Sequence, residues 1–232
     1  MNKILVLGDG LLGSEIVKQT SWDYISRKKD HFDFNHISSY VDYFSDYDTI
    51  LNCIAFTATY SDNRKLHWKT NFESVVRLAR WCYAYDKKLV QISTDYLYSN
   101  SNGCPTENDI PVHCNNWYGY TKLLADGYIQ VSLENYLIIR TSFKPNPFPY
   151  DEAVIQYGNF DYVDVIAELI IKLIKNNAYG VYNVGTGIKT MLQLAQKTNP
   201  NVKGTSKIIH ETFPTNVSMD ISKMKKFLEK HV

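Results

Sequence analysis

Tyr118 and Lys122 stand four residues apart in the stretch Tyr118-Gly-Tyr-Thr-Lys122. On a helix this spacing puts a phenol and an ammonium on one face, about one turn apart. A nearby cation favours the phenolate and lowers the tyrosine pKa, which suits a group that gives or takes a proton near neutral pH. Two surface residues of an amphipathic helix would look the same, so the pair takes its meaning from what precedes it. Upstream, the run Ser93-Thr94-Asp95-Tyr96 offers a hydroxyl and a carboxylate where an apolar stretch ends.

A second chemistry is written at the start of the chain. Gly8-Asp9-Gly10-Leu11-Leu12-Gly13 follows the apolar run Lys3–Leu7 and precedes a helical pattern beginning at Ser14. Strand, G-x-G-x-x-G and helix is the order that dinucleotide binding requires. Gly8 permits the tight turn, Gly10 lets the backbone approach a pyrophosphate, and Gly13 lets helix pack on strand. The free amides of the helix start, from Leu11 and Leu12 onward, then hold phosphate. A plain turn is the alternative.

The next expected strand, Trp22–Ser26, ends in Arg27 and Lys28. An acid at this point binds the ribose 2′-OH of NAD, whereas cations suit a 2′-phosphate. NADP(H) is therefore favoured over NAD(H), which the nearby Asp30 keeps open, and a solvated charge run is the bland reading. Asp33, in a strand end or turn, has a carboxylate able to accept from an adenine amino group.

Positioning these groups needs a sheet. Continuous apolar runs at Lys3–Leu7, Asp48–Ile54, Lys88–Ser93 and Tyr136–Thr141 suit parallel strands buried on both faces. Ligands in such sheets sit at the strands' carboxyl ends, so residues Ala55 to Thr59 should border the site, as should Thr94. A long helix is expected over about Asp62–Tyr85, with Asn71 either an ordinary helix residue or one reaching the site. The turn-rich loop Ser99–Asn115 is too long for a mere connection and is expected to cover or border the site.

Beyond residue 141 the texture changes. Ser142–Tyr150 holds three prolines in nine residues and cannot be regular helix. Helix is expected at Tyr162–Lys175, strand at Gly180–Val184, helix near Met191–Lys197, a short strand at Ile208–Glu211 and a last helix at Ser222–Lys230. The alternation predicts an α/β fold, a doubly wound parallel sheet of the NAD(P)-binding Rossmann type with a small C-terminal substrate-binding subdomain. The expected division is residues 1–145 for the dinucleotide-binding part and 146–232 for a smaller substrate-binding region interwoven with it.

Bulk properties exclude several classes. The chain has 232 residues, enough for a sizeable core, and a net charge of +1 that gives no long-range field for nucleic acid. No apolar run reaches membrane-spanning length, and the apolar Ile4–Leu7 stretch is too short for a signal peptide. Four scattered cysteines without a CxxC pair argue for a reduced, cytoplasmic protein with no structural metal.

Taken together, GDGLLG, NCIAFTA, QISTDYLYS, PTENDIP, NNWYGYTK, IIRTSF and NVSMDISKMKK resemble the short-chain dehydrogenase/reductase superfamily in its extended, nucleotide-sugar branch. Within that branch the chain is most similar to dTDP-4-dehydrorhamnose reductases. The matching stretches run from residue 8 to residue 226. The resemblance implies Thr94, Tyr118 and Lys122 as catalytic triad. Thr94 bonds the substrate carbonyl, Tyr118 donates the proton, and Lys122 holds the nicotinamide ribose and lowers the tyrosine pKa. It implies Asp33 and Phe34 beside the adenine and Ala55 near the ribose. Thr57, Thr94, Asp95, Tyr96 and Phe143 would meet the sugar, with Phe143 standing where these reductases place a tryptophan.

Two departures accompany the resemblance: a glycine loop one residue shorter than usual, and a brief segment after IIRTSF where relatives build the sugar-nucleotide pocket. The implied activity is NADP(H)-dependent reduction of a 4-keto-6-deoxy sugar nucleotide in deoxysugar synthesis. A same-fold epimerase and a non-catalytic NADP-binding subunit stay open, as does a homodimer.

Overall fold

The computed structural model describes residues 2–101, 103–109, 116–207 and 209–231. Six strands form the main sheet: β1 (Ile4–Leu7), β2 (Asp23–Ile25), β3 (Thr49–Asn52), β4 (Lys88–Thr94), β5 (Tyr136–Thr141) and β6 (Gly180–Asn183). Their spatial order is β6-β5-β4-β3-β1-β2, and each neighbouring pair is parallel. From β1 the chain steps outward to β2, then returns to lay β3 on the other side of β1. That reversal opens a crevice at the carboxyl ends of β1 and β3, where the glycine loop and Asn52–Thr57 emerge.

The unbroken apolar runs reflect burial on two faces. In β1, Ile4 and Val6 enter one core while Leu5 and Leu7 enter the other, because successive strand residues point to opposite faces. Helices α1 (Leu11–Thr20), α4 (Val163–Lys175) and α6 (Ser222–Glu229) contribute to the first core. Helices α2 (Ser74–Ala84) and α3 (Trp117–Ser132) contribute to the second. A third cluster gathers Phe148, Phe160, Tyr162, Leu194 and Val202 around α5 (Met191–Ala195). Beside it Glu152–Val154 pairs in parallel with Lys203–Thr205. Strand β6, from the C-terminal half, extends the main sheet by pairing with β5 in the register Val181↔Ile138.

Two expectations are corrected. The long helix over Asp62–Tyr85 is not uniform: Arg64–His67 leads through a π-helical turn, Trp68–Glu73, into α2. Such turns widen the helix locally. This one holds Asn71, whose Oδ1 accepts from the Phe56 amide at 2.8 Å and whose Nδ2 donates to the Phe56 carbonyl at 3.1 Å. Asn71 thus pins the loop after β3.

The expected strand Ile208–Glu211 is also absent from its described part, residues 209–211; Ile208 lies outside the described residues. The segment instead stacks His210 on Tyr60 with ring centroids 5.0 Å apart.

The loop Ser99–Asn115, expected to cover or border the site, includes Asn102 and residues 110–115, which lie outside the described residues. Its described part is tied to β6. The Tyr98 hydroxyl donates to the Thr106 carbonyl at 3.1 Å, and the Asn183 amide donates to Glu107 Oε1 at 2.8 Å. Among the described residues no helix is long and apolar enough to cross a membrane.

Candidate active site

The glycine loop is shaped by two different demands. Gly8 has φ +94°, and a Cβ there would stand 2.6 Å from Ile54 Cγ1. At Gly13 a Cβ would meet the Gly8 carbonyl oxygen at 2.0 Å, so helix α1 can cross β1 this closely only without a side chain. Gly10 is different: a Cβ would touch nothing within 4 Å. Gly10 is also the N-cap of α1 and has no side chain to satisfy the first-turn amides. An open space facing free helix amides is a fit for a pyrophosphate.

From this loop a cavity of about 690 Å³ runs along the strand ends. Gly8, Gly10, Leu11, Leu12 and Arg27 line it at one end, and Thr94, Asp95, Tyr96, Tyr118 and Lys122 at the other. Phe34, Ala55, Thr57 and Phe143 also lie on its wall. Most of the residues singled out from sequence are therefore brought to one cavity.

Gly13, Lys28, Asp30 and Asp33 are not on that wall. Gly13 sits behind it and acts through packing. Ser26 caps the single turn Arg27–Asp30, its Oγ accepting from the Lys29 amide at 3.0 Å. Successive side chains on that turn point about 100° apart, so Arg27 lines the cavity and Lys28 does not. Asp30 is engaged elsewhere, accepting from the Ser26 amide at 2.9 Å. Asp33 is turned onto its own loop, bonding the Asn35 amide at 2.9 Å and His36 Nδ1 at 2.7 Å. The His36 contact and then the Asn35 amide hold the Asp33 carboxyl below the usual range. The aromatic wall there is made by Phe32 and Phe34 instead.

The acid–base end is built by β4, α3 and β5. Thr94 closes β4 opposite Thr141. Its Oγ1 accepts from the Tyr96 amide at 3.2 Å, which starts a turn of 3-10 helix over Asp95–Tyr98. Asn116 caps α3, its Oδ1 accepting from the Gly119 amide at 2.8 Å. Tyr118 then occupies the first turn of α3 and Lys122 the second. Around the Tyr118 ring stand His67 and Tyr96, each with its ring centroid 6.3 Å away. Burial holds His67 below its ordinary value, hence neutral at pH 7.

Lys122 is 2% exposed and donates from its ammonium to the Ile92 carbonyl. Burial brings it down to about 8, with Asp126 and then Cys53 opposing. Tyr118 moves the other way. Burial pushes its phenol well above the ordinary value, while the Thr94 hydroxyl beside it opposes the shift. Lowering of the phenol by Lys122 is thus not what this conformation shows, because the ammonium is engaged with Ile92.

Several site residues escaped the sequence reading. Asp126 lies one turn beyond Lys122 and is fully buried. Its Oδ2 accepts from Ser93 Oγ at 2.9 Å and from Arg140 Nε at 3.2 Å. Arg140 donates in turn to the Tyr98 hydroxyl, whose single proton is shared between the Thr106 carbonyl and Asn183 Oδ1, the latter at 3.0 Å. The four-residue spacing from Lys122 to Asp126 was the available signal. Phe32, Phe56 and Lys144 also line the cavity. Lys144 could have been noticed as a cation directly beside Phe143, in a segment expected to meet substrate. No group of three metal-ligating side chains occurs among the described residues.

Comparison with known proteins gives consistent findings. The family model described as RmlD substrate binding domain matches residues 1–144. Over 220 residues the chain is 27% identical to the spore coat polysaccharide biosynthesis protein SpsK of Bacillus subtilis, an alignment spanning 84% of this chain and 77% of that protein. A dTDP-4-dehydrorhamnose reductase structure from Clostridium acetobutylicum superposes with TM-score 0.81 at 24% identity, covering 96% of this chain and 91% of that one. The Bacillus anthracis dTDP-4-dehydrorhamnose reductase in complex with NADP gives TM-score 0.82 at 21% identity, covering 99% and 97%. At these identities the two structures show a shared fold.

Proposed function

The chain belongs to the RmlD substrate binding domain family, and from that premise we propose that it is an NADP(H)-dependent reductase of a 4-keto-6-deoxy sugar nucleotide. One observation carries the reading: Thr94, Tyr118 and Lys122 share a cavity with a glycine loop fit for a pyrophosphate.

Gly8, Gly10 and the amides of Leu11 and Leu12 would hold the dinucleotide's pyrophosphate, and Phe32 and Phe34 would flank its adenine. Arg27 would pair with a 2′-phosphate, and Asp30, engaged with Ser26, offers little to a free 2′-OH. When bound, the cofactor supplies the hydride.

The chain supplies position and a proton. Negative charge develops on the substrate carbonyl oxygen during reduction, and hydrogen bonds from Thr94 and Tyr118 would stabilise it there. A phenol raised by burial stays protonated at neutral pH and so carries the proton that the reaction consumes. Lys122 would hold the nicotinamide ribose, releasing the Ile92 carbonyl to do so. Thr57, Asp95, Tyr96 and Phe143 would line the sugar's side. The role of the Bacillus subtilis relative, spore coat polysaccharide biosynthesis, fits a nucleotide-sugar substrate.

The test is direct. Purified protein is mixed with NADPH and dTDP-4-keto-6-deoxyglucose, and absorbance of the reduced cofactor is followed. Turnover that disappears in Tyr118→Phe supports the reductase. Tight NADPH binding without turnover of any keto-sugar overturns it in favour of a cofactor-binding subunit.

A further inference from the structure

Two opposite charges beyond the triad face the same cavity and do not pair with each other. Asp95 follows Thr94 directly and is 1% exposed, yet its Oδ2 has no hydrogen-bond partner among the described residues. Its other oxygen receives a long contact, 3.4 Å, from Thr94 Oγ1. Lys144 lies on the cavity wall beside Phe143. Its backbone is fixed by the pairing of Phe143–Lys144 with Asp161–Tyr162. The Lys144 charge is the chief influence opposing the burial of Asp95, but the two make no direct ion pair.

A buried carboxyl oxygen without a partner is costly, so the cavity that Asp95 and Lys144 both line calls for a ligand group there. A ligand ammonium would meet Lys144 as a like charge, and a ligand carboxylate would meet ionised Asp95 as one. A methyl or methylene would leave both unsatisfied. Among the groups of a sugar, a hydroxyl serves both, accepting from the ammonium while donating to the Asp95 carboxylate or accepting from its protonated form. Resting on the reductase reading above, we propose that Lys144 is a specificity-determining residue that, with Asp95, clamps one non-reacting hydroxyl of the sugar. In a 4-keto-6-deoxy hexose only the C2 and C3 hydroxyls can fill that role. A site built this way rejects the analogue lacking the hydroxyl, because its own polar groups are left unpaired.

The experiment compares dTDP-4-keto-6-deoxyglucose with its 2-deoxy and 3-deoxy forms on the wild-type protein and on Lys144→Met and Lys144→Arg. The wild type is expected to lose kcat/KM on the order of a hundredfold for one of the two deoxy sugars. Lys144→Met should remove that discrimination by raising KM for the full sugar, with kcat and NADPH affinity little changed, and Lys144→Arg should restore part of it. Equal treatment of all three sugars by the wild type overturns the inference, as does unchanged discrimination in Lys144→Met. Calorimetric titration of dTDP-glucose and its 2-deoxy and 3-deoxy forms into NADP+-saturated protein reads the same preference without turnover. Selective binding without reduction therefore sinks the reductase and keeps the clamp; reduction without selectivity does the reverse. Absence of both binding and turnover overturns the two together.

Discussion

Asp126 and Arg140 meet 3.2 Å apart beneath the helix that carries Tyr118 and Lys122, both almost closed to solvent. Through Ser93, Tyr98 and Asn183 the pair links β4, α3, β5 and β6 at the ends that carry the candidate site. Removing one partner leaves the other charge buried alone, a loss of about 3–5 kcal/mol. Asp126→Asn and Arg140→Met are each expected to fall in that range in urea unfolding. The double variant Asp126→Leu/Arg140→Met should recover part of the loss, since an apolar pair carries no desolvation cost.

The glycine loop separates binding from folding. Gly13→Ala drives a Cβ into the Gly8 carbonyl oxygen, so a lowered Tm and lost NADPH binding should appear together. Gly10→Ala meets nothing and has an ordinary φ of −67°. Its Tm should hold or rise slightly, as alanine restricts the unfolded chain. NADPH affinity should nonetheless fall by about tenfold or more, equal to about 1.4 kcal/mol, because the methyl fills the space the pyrophosphate needs. Fluorescence titration beside thermal unfolding checks both.

Cofactor choice should rest on Arg27 and not on Lys28. With Arg27 on the cavity wall and Lys28 off it, Arg27→Ala should cut NADPH affinity about tenfold while leaving NADH unchanged. Lys28→Ala should alter neither. Titrations with both nucleotides, repeated at higher salt, decide the matter; a matching loss in Lys28→Ala would refute the assignment.

Asp95 predicts a pH signature. Burial pushes its carboxyl up to about 7 from 3.8, against the opposing pull of Lys144 and of the Thr94 hydroxyl. Between these values the folded state holds a proton that the unfolded state has released. Asp95's contribution to stability is then fully present below about pH 4 and is lost as pH rises through 7. Asp95→Asn should remove this slope and be the more stable protein at pH 8. Urea unfolding of both proteins from pH 4 to pH 8 measures it, and parallel curves would contradict the assignment.

What the sequence determined by itself is what neighbours along the chain encode. The apolar run before Gly8 names a doubly buried strand, and the glycine spacing names the turn after it. The Tyr118 to Lys122 interval names one helix face, and Thr94 follows as the end of the next strand. These patterns are legible because strand alternation and helix rotation depend only on local geometry. Tertiary structure alone decided which polar groups meet. It brought Arg140 under Asp126, put Lys144 and Asp95 on the wall of one cavity and opened a π-helical turn so that Asn71 could bind the Phe56 backbone. It also turned Lys28 and Asp33 away from a cavity they were expected to line. Such contacts join residues on different elements, and sheet order and burial fix them, so no spacing within a single element could have announced them.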